Sequence, residues 1–434
     1  MTTLKCGAAA RVVTPPLGLN IPQNMQFNPA TGIKNDLYTH AVAVDDGTRT
    51  AILISIDTSG LGAAFTHRVR RALQEELGID PDGVMVSAIH IHTGGPQLMD
   101  VYWGQGEDES VNELFLRETV AAAKEAYEKR VPVSVYFAEG REDRISFCRT
   151  YRLTDGSIKT NPGRKHAHEI VGPVAEIDHT LSTLRFVDTA GKPVCEIVNF
   201  ACHPDTVGGQ EYCADFPGEL RKNLKTVYGN DYTVLFFNGC SGNVNHIDAP
   251  RLADPDFRYV KGEHHKYMGR VLADDVLALH REAKPLTEGG VAFVRRTFRA
   301  PRRQPEEIDL TWAADALAKE GGSKVDKRLA EEILHLHETP KQTEQVELQV
   351  IRLGGILLAG FPGEPFSDMG LRLRAATAPC RLMISELAND ELGYFATEPA
   401  YSGRVYEAIL PSAPFEPTVL DRMVDTLAEM IQKM

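Results

Sequence analysis

The first 140 residues alternate between two hydrophobic periods. HAVAV and AILISID, at residues 40–44 and 51–57, are short apolar runs of the kind that form strands. AAFTHRVRRALQEELG, at 63–78, repeats its apolar positions at helical spacing. GVMVSAIHIHT, at 83–93, returns to strand. NELFLRETVAAAKEAYEKR, at 112–130, predicts an amphipathic helix, and VPVSVYFAEG after it reads as strand again. This order predicts an α/β (α+β) fold, a mixed β-sheet core flanked by helices.

Farther along, PVCEIVNFACHP, YTVLFFNGCSG, GGILLAGFPGEP and CRLMISELAND share one design. Each is an apolar strand that runs straight into a polar loop containing glycine, proline or acidic residues. Open sheets place their sites in such strand-exit loops, so the site is expected there. Residues 302–344 are highly charged with helical spacing and predict a solvated helical excursion, a lid or an interface. TVLDRMVDTLAEMIQK, at 418–433, reads as a closing amphipathic helix. There is no repeat of 20 to 50 residues and no good internal linker, so residues 1–434 are expected to form one domain.

Composition narrows the function classes. A chain of 434 residues with 43% hydrophobic residues has an ordinary globular composition and can bury a large core. Its formal net charge of -13 argues against a general phosphate-backbone binder, so no nucleic-acid partner is expected. No segment approaches the ~20 apolar residues of a spanning helix, and the start lacks a secretory apolar core. The reading is therefore a cytoplasmic protein without stable membrane association, and a homo-oligomer remains open. The seven cysteines are scattered with no CxxC spacing, which fits reduced thiols.

The candidate chemistry sits at the strand exits. His90 and His92 lie two residues apart, just before Gly94, Gly95 and Pro96. If the strand continues through them, both rings face one cavity, where one could bind a metal and the other handle a proton. They could equally be strand-end histidines bonded to backbone. His203 in NFACHPDT, Glu364 in GFPGEPFSD and Tyr394 in LANDELGYFAT follow three further strands of this kind. Together these donors suit a zinc ion held by imidazole and carboxylate with room for water or substrate. Spacing does not show that loops spread from residue 90 to residue 394 converge.

These stretches carry a family resemblance. SAIHIHTGGP resembles the T-H-T-H-S-G-P element of the neutral ceramidases, zinc-dependent hydrolases of the ceramide amide bond. NFACHPDT is similar to that family's histidine-bearing second strand, and FFNGCSGNVNHID to its N-x-G-D/N-V-S-P-N loop. FPGEPFSDMGLRLR resembles its P-G-E-F-T-T-x-x-G-R-R-L-R stretch, and LANDELGYFATEPAYSGRVYEA its A-N-x-Y-x-x-Y-x-T-T-x-x-E-Y-x-x-x-x-Y-E-A segment. The order holds from about residue 4 to residue 432. The resemblance implies that His90, His203, Glu364 and Tyr394 bind zinc and that His92 and Tyr406 face the scissile group. It also implies that Arg149, in SFCRTYRLTDG, contacts substrate.

The departures matter too. The family's proposed nucleophilic serine aligns with Asn245, whose amide cannot replace a hydroxyl. Ser241 and Cys240 are rival nucleophiles, but a metal-activated water needs neither. The β-sandwich domain that follows the catalytic domain in full-length ceramidases is not expected here. Together with the absence of an anchor, this favours a small soluble amide over a membrane lipid. The expectation is thus a zinc-dependent amide hydrolase. The alternatives are a metal-dependent esterase, lactonase or proton-transfer enzyme, and a non-catalytic ligand-binding relative. Asp215 could be a helix N-cap, a partner of a metal-bound histidine or a base. His166, His168 and His179 share one loop that could hold a second metal. Asn243, His246 and Asp248 could line the pocket beside Asn245.

Overall fold

The computed structural model describes residues 4–434 apart from 23–26, 97, 99–100, 103–104, 107–108, 258–262 and 287–288. A nine-stranded mixed sheet contains β1 (Lys5–Val12), β2 (Tyr38–Asp45), β3 (Thr50–Ile56), β4 (Val84–Ala88), β5 (Val131–Arg141), β6 (Thr180–Asp188), β7 (Pro193–Phe200) and β8 (Thr233–Asn238). Its spatial order is β8-β7-β6-β5-β1-β2-β3-β4, and the short strand Lys284–Pro285 also pairs with β5. A second sheet is four-stranded and runs β9 (Val291–Pro301), β10 (Thr343–Leu353), β11 (Ile356–Gly360), β12 (Arg381–Ser385). Three neighbouring pairs are parallel: β3 with β4, β7 with β8, and β11 with β12.

Strand alternation explains the layers. In β2, Ala41 and Ala43 join a core shared with helices, while Val42 and Val44 join a core shared with the second sheet. In β3, Ile52, Ile54 and Ile56 face the helices, and Ala51 and Leu53 face the other sheet. Both faces are buried, which is why these strands read as unbroken apolar runs. The helices α1 (Ala63–Leu77), α2 (Glu109–Glu128), α3 (Asp215–Tyr228) and α4 (His264–Glu282) cover the first face. They do so with stripes at four-residue spacing such as Phe65, Val69, Leu73 and Phe216, Leu220, Leu224.

The sequence also places two helices, α5 (Glu307–Ala318) and α6 (Lys324–Glu338), between β9 and β10, inside the charged segment 302–344. They bury Ala313, Ala330 and Ile333 together with Leu410. The far face of the small sheet lies under α7 (Ser367–Thr377) and α8 (Pro417–Gln432), through residues such as Met369, Leu373, Met423 and Leu427. Two stacked sheets between helical layers thus extend the single flanked sheet expected from periodicity.

Buried polar side chains bring the carboxyl ends of the three parallel pairs together. Asn199 Nδ2 donates to Phe237 O at 2.8 Å and to Ile384 O at 2.7 Å, and its Oδ1 accepts from Ile384 N at 2.9 Å. One amide thereby ties β7, β8 and β12. Asn389 Oδ1 accepts from Val86 N at 3.0 Å, and its own N–H donates to Val86 O at 2.7 Å, which docks the loop after β12 on the edge of β4. Ser385 Oγ lies 2.9 Å from Ser87 Oγ. Asn199→Leu keeps the shape of the side chain but strands these backbone groups, each worth about 1–3 kcal/mol when buried and unpaired. We expect this variant to lose about 3 kcal/mol or more of stability by urea unfolding; a loss under about 1 kcal/mol would contradict the tie.

Candidate metal centre

Each donor is set by its own strand exit. The strand ahead of His90 stops at Ala88, so the alternation expected of GVMVSAIHIHT does not extend through the two histidines. Instead, Ile89 N donates to Ile56 O and His90 N to Thr58 O, and His90 adopts a left-handed φ of 69°. That turn, rather than a shared strand face, brings the rings of His90 and His92 to 5.1 Å at an interplanar angle of 89°. His92 N donates to Pro204 O at 3.2 Å and so joins the loop that carries His203.

Asp215 fixes that second loop. Its carboxylate accepts from Thr206 N, Thr206 Oγ1 and Val207 N at 3.0, 2.6 and 3.0 Å. It is the first residue of α3, with φ 50°, one place past the cap position at Ala214, and its contacts make it a clamp on the loop of His203 rather than an N-cap. Burial raises its carboxyl to about 6, partly offset by the bond from Thr206.

Glu364 and Tyr394 are neighbours through a two-residue parallel bridge, Glu364–Pro365 beside Tyr394–Phe395. Gly242 must be small there, because a Cβ on it would lie 2.5 Å from Glu364 O. Gly363 sits at φ 142°, and its Cβ would meet Gly393 O at 2.6 Å.

The four donor atoms meet. His90 Nε2 and His203 Nε2 are 3.2 Å apart, and each is 3.1 Å from Glu364 Oε2. Tyr394 Oη is 3.4 Å from His203 Nε2. His90 Nδ1 faces Ser59 O at 2.7 Å and His203 Nδ1 faces Ser241 O at 2.9 Å. A carbonyl only accepts, so each Nδ1 carries a ring proton, and each Nε2 is left to hold either a second proton or a metal ion. Glu364 Oε2 is buried and faces both Nε2 atoms. Such a set attracts a cation.

Donors about 2.0–2.1 Å from a tetrahedral zinc ion stand about 3.3 Å from one another, close to the observed spacings. His90, His92 and His203 together also form a group of metal-ligating type, with atoms within 4.8 Å of one another. Of the three, His90 and His203 share the contact with Glu364, so His92 stands beside the four-donor set. Among the described residues this is the one such group, and the loop of His166, His168 and His179 does not form another. There, His166 pairs with Glu169 at 2.8 Å, His168 is exposed, and His179 lies 3.3 Å from Ser146 Oγ.

Charge tunes the surroundings. Burial depresses His90, but the adjacent Glu364 carboxylate outweighs it and raises the imidazole to about 10. Burial and the neighbouring His90 push His92 down to about 3. Burial drives the Tyr394 phenol well up, Glu364 adds to this, and Arg149 opposes it.

The Arg149 guanidinium donates to Gly242 O at 2.7 Å and Tyr394 Oη at 3.2 Å and pairs with Glu407 at 2.7 Å, so it stands behind Tyr394. Tyr406 packs its ring edge on Tyr394, centroids 5.9 Å apart. Asn245 uses its amide inside the loop, with Nδ2 donating to Asn161 Oδ1 and Oδ1 accepting from Ile247 N, both at 2.9 Å. Asn243 Oδ1 accepts from Ser367 N, and His246 pairs with Asp205 at 2.9 Å.

Sequence reasoning passed over Glu386, although ISELAND places it at a strand exit like the others. It is fully buried; Oε1 accepts from Ser241 Oγ at 2.6 Å and from Asn238 Nδ2 at 2.8 Å, and Oε2 accepts from Ser241 N at 2.8 Å. Burial raises this carboxyl to about 8. It thereby fixes the residue whose carbonyl orients His203. Ser241 spends its hydroxyl on Glu386, and Cys240 is packed into the core under Phe361 and Met369 with its thiol pushed up by burial.

No family model matches the sequence, and no curated protein sequence matches it. Solved structures do. The neutral ceramidase from Pseudomonas aeruginosa aligns over 100% of this chain and 75% of its own, with a TM-score of 0.76 and 15% identity. A ceramidase complexed with C2 aligns over 99% and 75%, with a TM-score of 0.74 and 16% identity. The fold is that of the neutral ceramidases. Within this ceramidase fold, all four donors named from the strand-exit loops lie within one small cluster.

Partners that orient metal-bound histidines commonly change affinity 10–100-fold when removed. Glu386→Ala is therefore expected to weaken zinc binding by about that factor in a chelator competition, and unchanged affinity would remove Glu386 from the site.

Proposed function

We propose that the protein is a zinc-dependent hydrolase of a carbon–nitrogen amide bond in a small soluble N-acyl compound. The observation that carries this is the meeting of two imidazole nitrogens, a carboxylate oxygen and a phenol at 3.1–3.4 Å. In this reading His90, His203, Glu364 and Tyr394 hold the ion. Zinc bound there supplies a Lewis acid that polarises a carbonyl and lowers the pKa of water toward neutrality.

The chain's residues do the rest. His92, with its ring centre 5.1 Å from that of His90 and 5.7 Å from that of His203, is the imidazole placed to take or give a proton. Tyr406 presents a phenol to the oxyanion that develops on the carbonyl. Arg149 keeps electron density on the Tyr394 oxygen by donating to it. Asn245 stiffens the loop that carries Arg149's partner strand, since Val244–Asn245 pairs with Phe147–Cys148. Ser241 and Cys240 are committed elsewhere, which favours water over a covalent route. The likeness to a ceramidase in complex with C2 supports an amide substrate. Among the described residues no helix is long and apolar enough to cross a membrane.

Purified protein should carry near-stoichiometric zinc by elemental analysis, and His203→Ala should lose it. A panel of N-acyl amines, esters and lactones should show amide cleavage that chelation abolishes and zinc restores; zinc-loaded protein inactive on every amide would defeat the proposal. Tyr406→Phe should cost about 100-fold in kcat, the scale of one oxyanion donor, with zinc retained. Cys240→Ala should leave turnover within about threefold, and a larger fall at full zinc content would favour a covalent route.

A further inference from the structure

The two histidine donors sit on separate loops, and one helix reaches both. At its first residue α3 is clamped to the loop of His203, through the bonds that Thr206 and Val207 give to Asp215. Arg221 lies farther along the same helix, about 9 Å down the axis. It is 4% exposed, and its Nη2 donates to Asp57 Oδ2 at 2.6 Å. The helix has little freedom to move. Phe216, Leu220 and Leu224 are packed in the core, and α4 lies so close that a Cβ on Gly269 would be 2.5 Å from Glu219 Cβ.

Asp57 directly follows β3 and is fully buried. Its N–H donates to Tyr38 O at 2.9 Å and its Oδ2 accepts from Tyr38 N at 3.0 Å, so it closes the end of the ladder between β2 and β3. The turn that Asp57 begins is the one that holds His90. Thr58 O accepts from His90 N at 3.0 Å, and Ser59 O faces His90 Nδ1 at 2.7 Å. Asp57 Oδ1 and Arg221 Nη1 have no hydrogen-bond partner, and among the described residues neither charge has another ion-pair partner.

We propose that Arg221 is a positioning residue of the metal centre: through Asp57 it fixes the turn whose Ser59 carbonyl orients His90. With Asp215 it makes α3 the gauge that sets the spacing of the two imidazoles. The inference rests on the metal centre that underlies the hydrolase reading. A buried ion pair adds little stability over packed apolar side chains, so stability alone does not account for a guanidinium and a carboxylate at this place. What the pair supplies is direction. Asp57 is aimed by the one cation that reaches it, and because Asp215 and Arg221 share a rigid helix, the turn of His90 and the loop of His203 are held to a common reference.

A matched pair of amide substitutions tests this. Asp57→Asn removes the charge that Arg221 grips but keeps an acceptor for Tyr38 N. Glu196→Gln is the control: Glu196 is equally buried and pairs with His280 on α4, and its contacts with Thr183, Tyr232 and His280 reach none of the four donors. Both variants should melt at a lower temperature. Only Asp57→Asn should weaken zinc binding, by about 10–100-fold in a chelator competition, and Arg221→Lys, which keeps the charge but loses the reach, should do the same. Cobalt in place of zinc reads the geometry without turnover. Its visible bands should shift in Asp57→Asn and Arg221→Lys and stay in place in Glu196→Gln.

Zinc affinity and cobalt bands unchanged in both site variants would overturn the inference and leave the metal centre standing. So would a control that loses as much affinity as they do, since the loss would then be one of general stability. Wild-type protein that takes up neither zinc nor cobalt would overturn the metal centre and the inference together.

Discussion

Buried amides that hold three parallel strand pairs together at their carboxyl ends determine whether this protein has a site at all. Each pair ends in loops that leave the sheet, and each loop alone delivers one or two donors. Asn199 satisfies backbone groups of β8 and β12 at once, and Asn389 does the same between β4 and the loop after β12. Replaced by apolar side chains, these positions would leave backbone groups without water or partner. The sheets would then lose the registration that sets His90, His203, Glu364 and Tyr394 a few ångströms apart.

Electrostatics explains why that cluster wants a cation. The surroundings bury Glu364, Glu386, Glu391 and Glu407, and burying several carboxylates is costly unless each is paired or protonated. Glu407 is answered by Arg149. Glu386 is answered by neutral donors and is raised to about 8, within reach of protonation. Glu364 is left facing two imidazole nitrogens, and with no ion bound it is answered by a proton on His90. A divalent ion answers that carboxylate and both lone pairs together, where a proton answers one of them.

The strand exits were legible because strands buried on both faces read as continuous apolar runs, and the polar residue that ends such a run stands out. His203, Glu364 and Tyr394 were visible on that ground, and the order of motifs linked them. The convergence was not legible, since it depends on Asn199, Asn389 and Ser385, ordinary polar residues in strands or loops. The same limit hid the second sheet, whose stacking is encoded only in which face each alternate residue seeks. His90 differs again. Its spacing from His92 suggested a shared strand face, whereas the backbone leaves the strand and turns left-handed, a conformation that local period does not report. Asp215 and Glu386 act through loops distant in sequence, so their positions before a helix and after a strand showed that they were placed with purpose but not what they hold.

Backbone strain supports the idea that these loops are shaped for chemistry rather than for stability. Among the described residues, the non-glycine positions at positive φ are His90, Asn161, Asp215, Leu387, Asn389 and Arg404. His90 carries a donor. Asp215 clamps the loop of His203, and Leu387 and Asn389 flank the turn after β12. Asn161 bonds Asn245 and the carbonyl of Arg149, and Arg404 precedes Tyr406 by two residues. Each such conformation costs about 1–3 kcal/mol and persists only where the surroundings over-determine it. A fold selected only for stability would place glycine or asparagine at such positions. Two of the six do hold asparagine, but the chain also keeps a histidine and an aspartate there. The strain therefore lies where side-chain identity is needed, and the bonds that offset it, from the strand ends and the buried amides, are the ones that also align the donors.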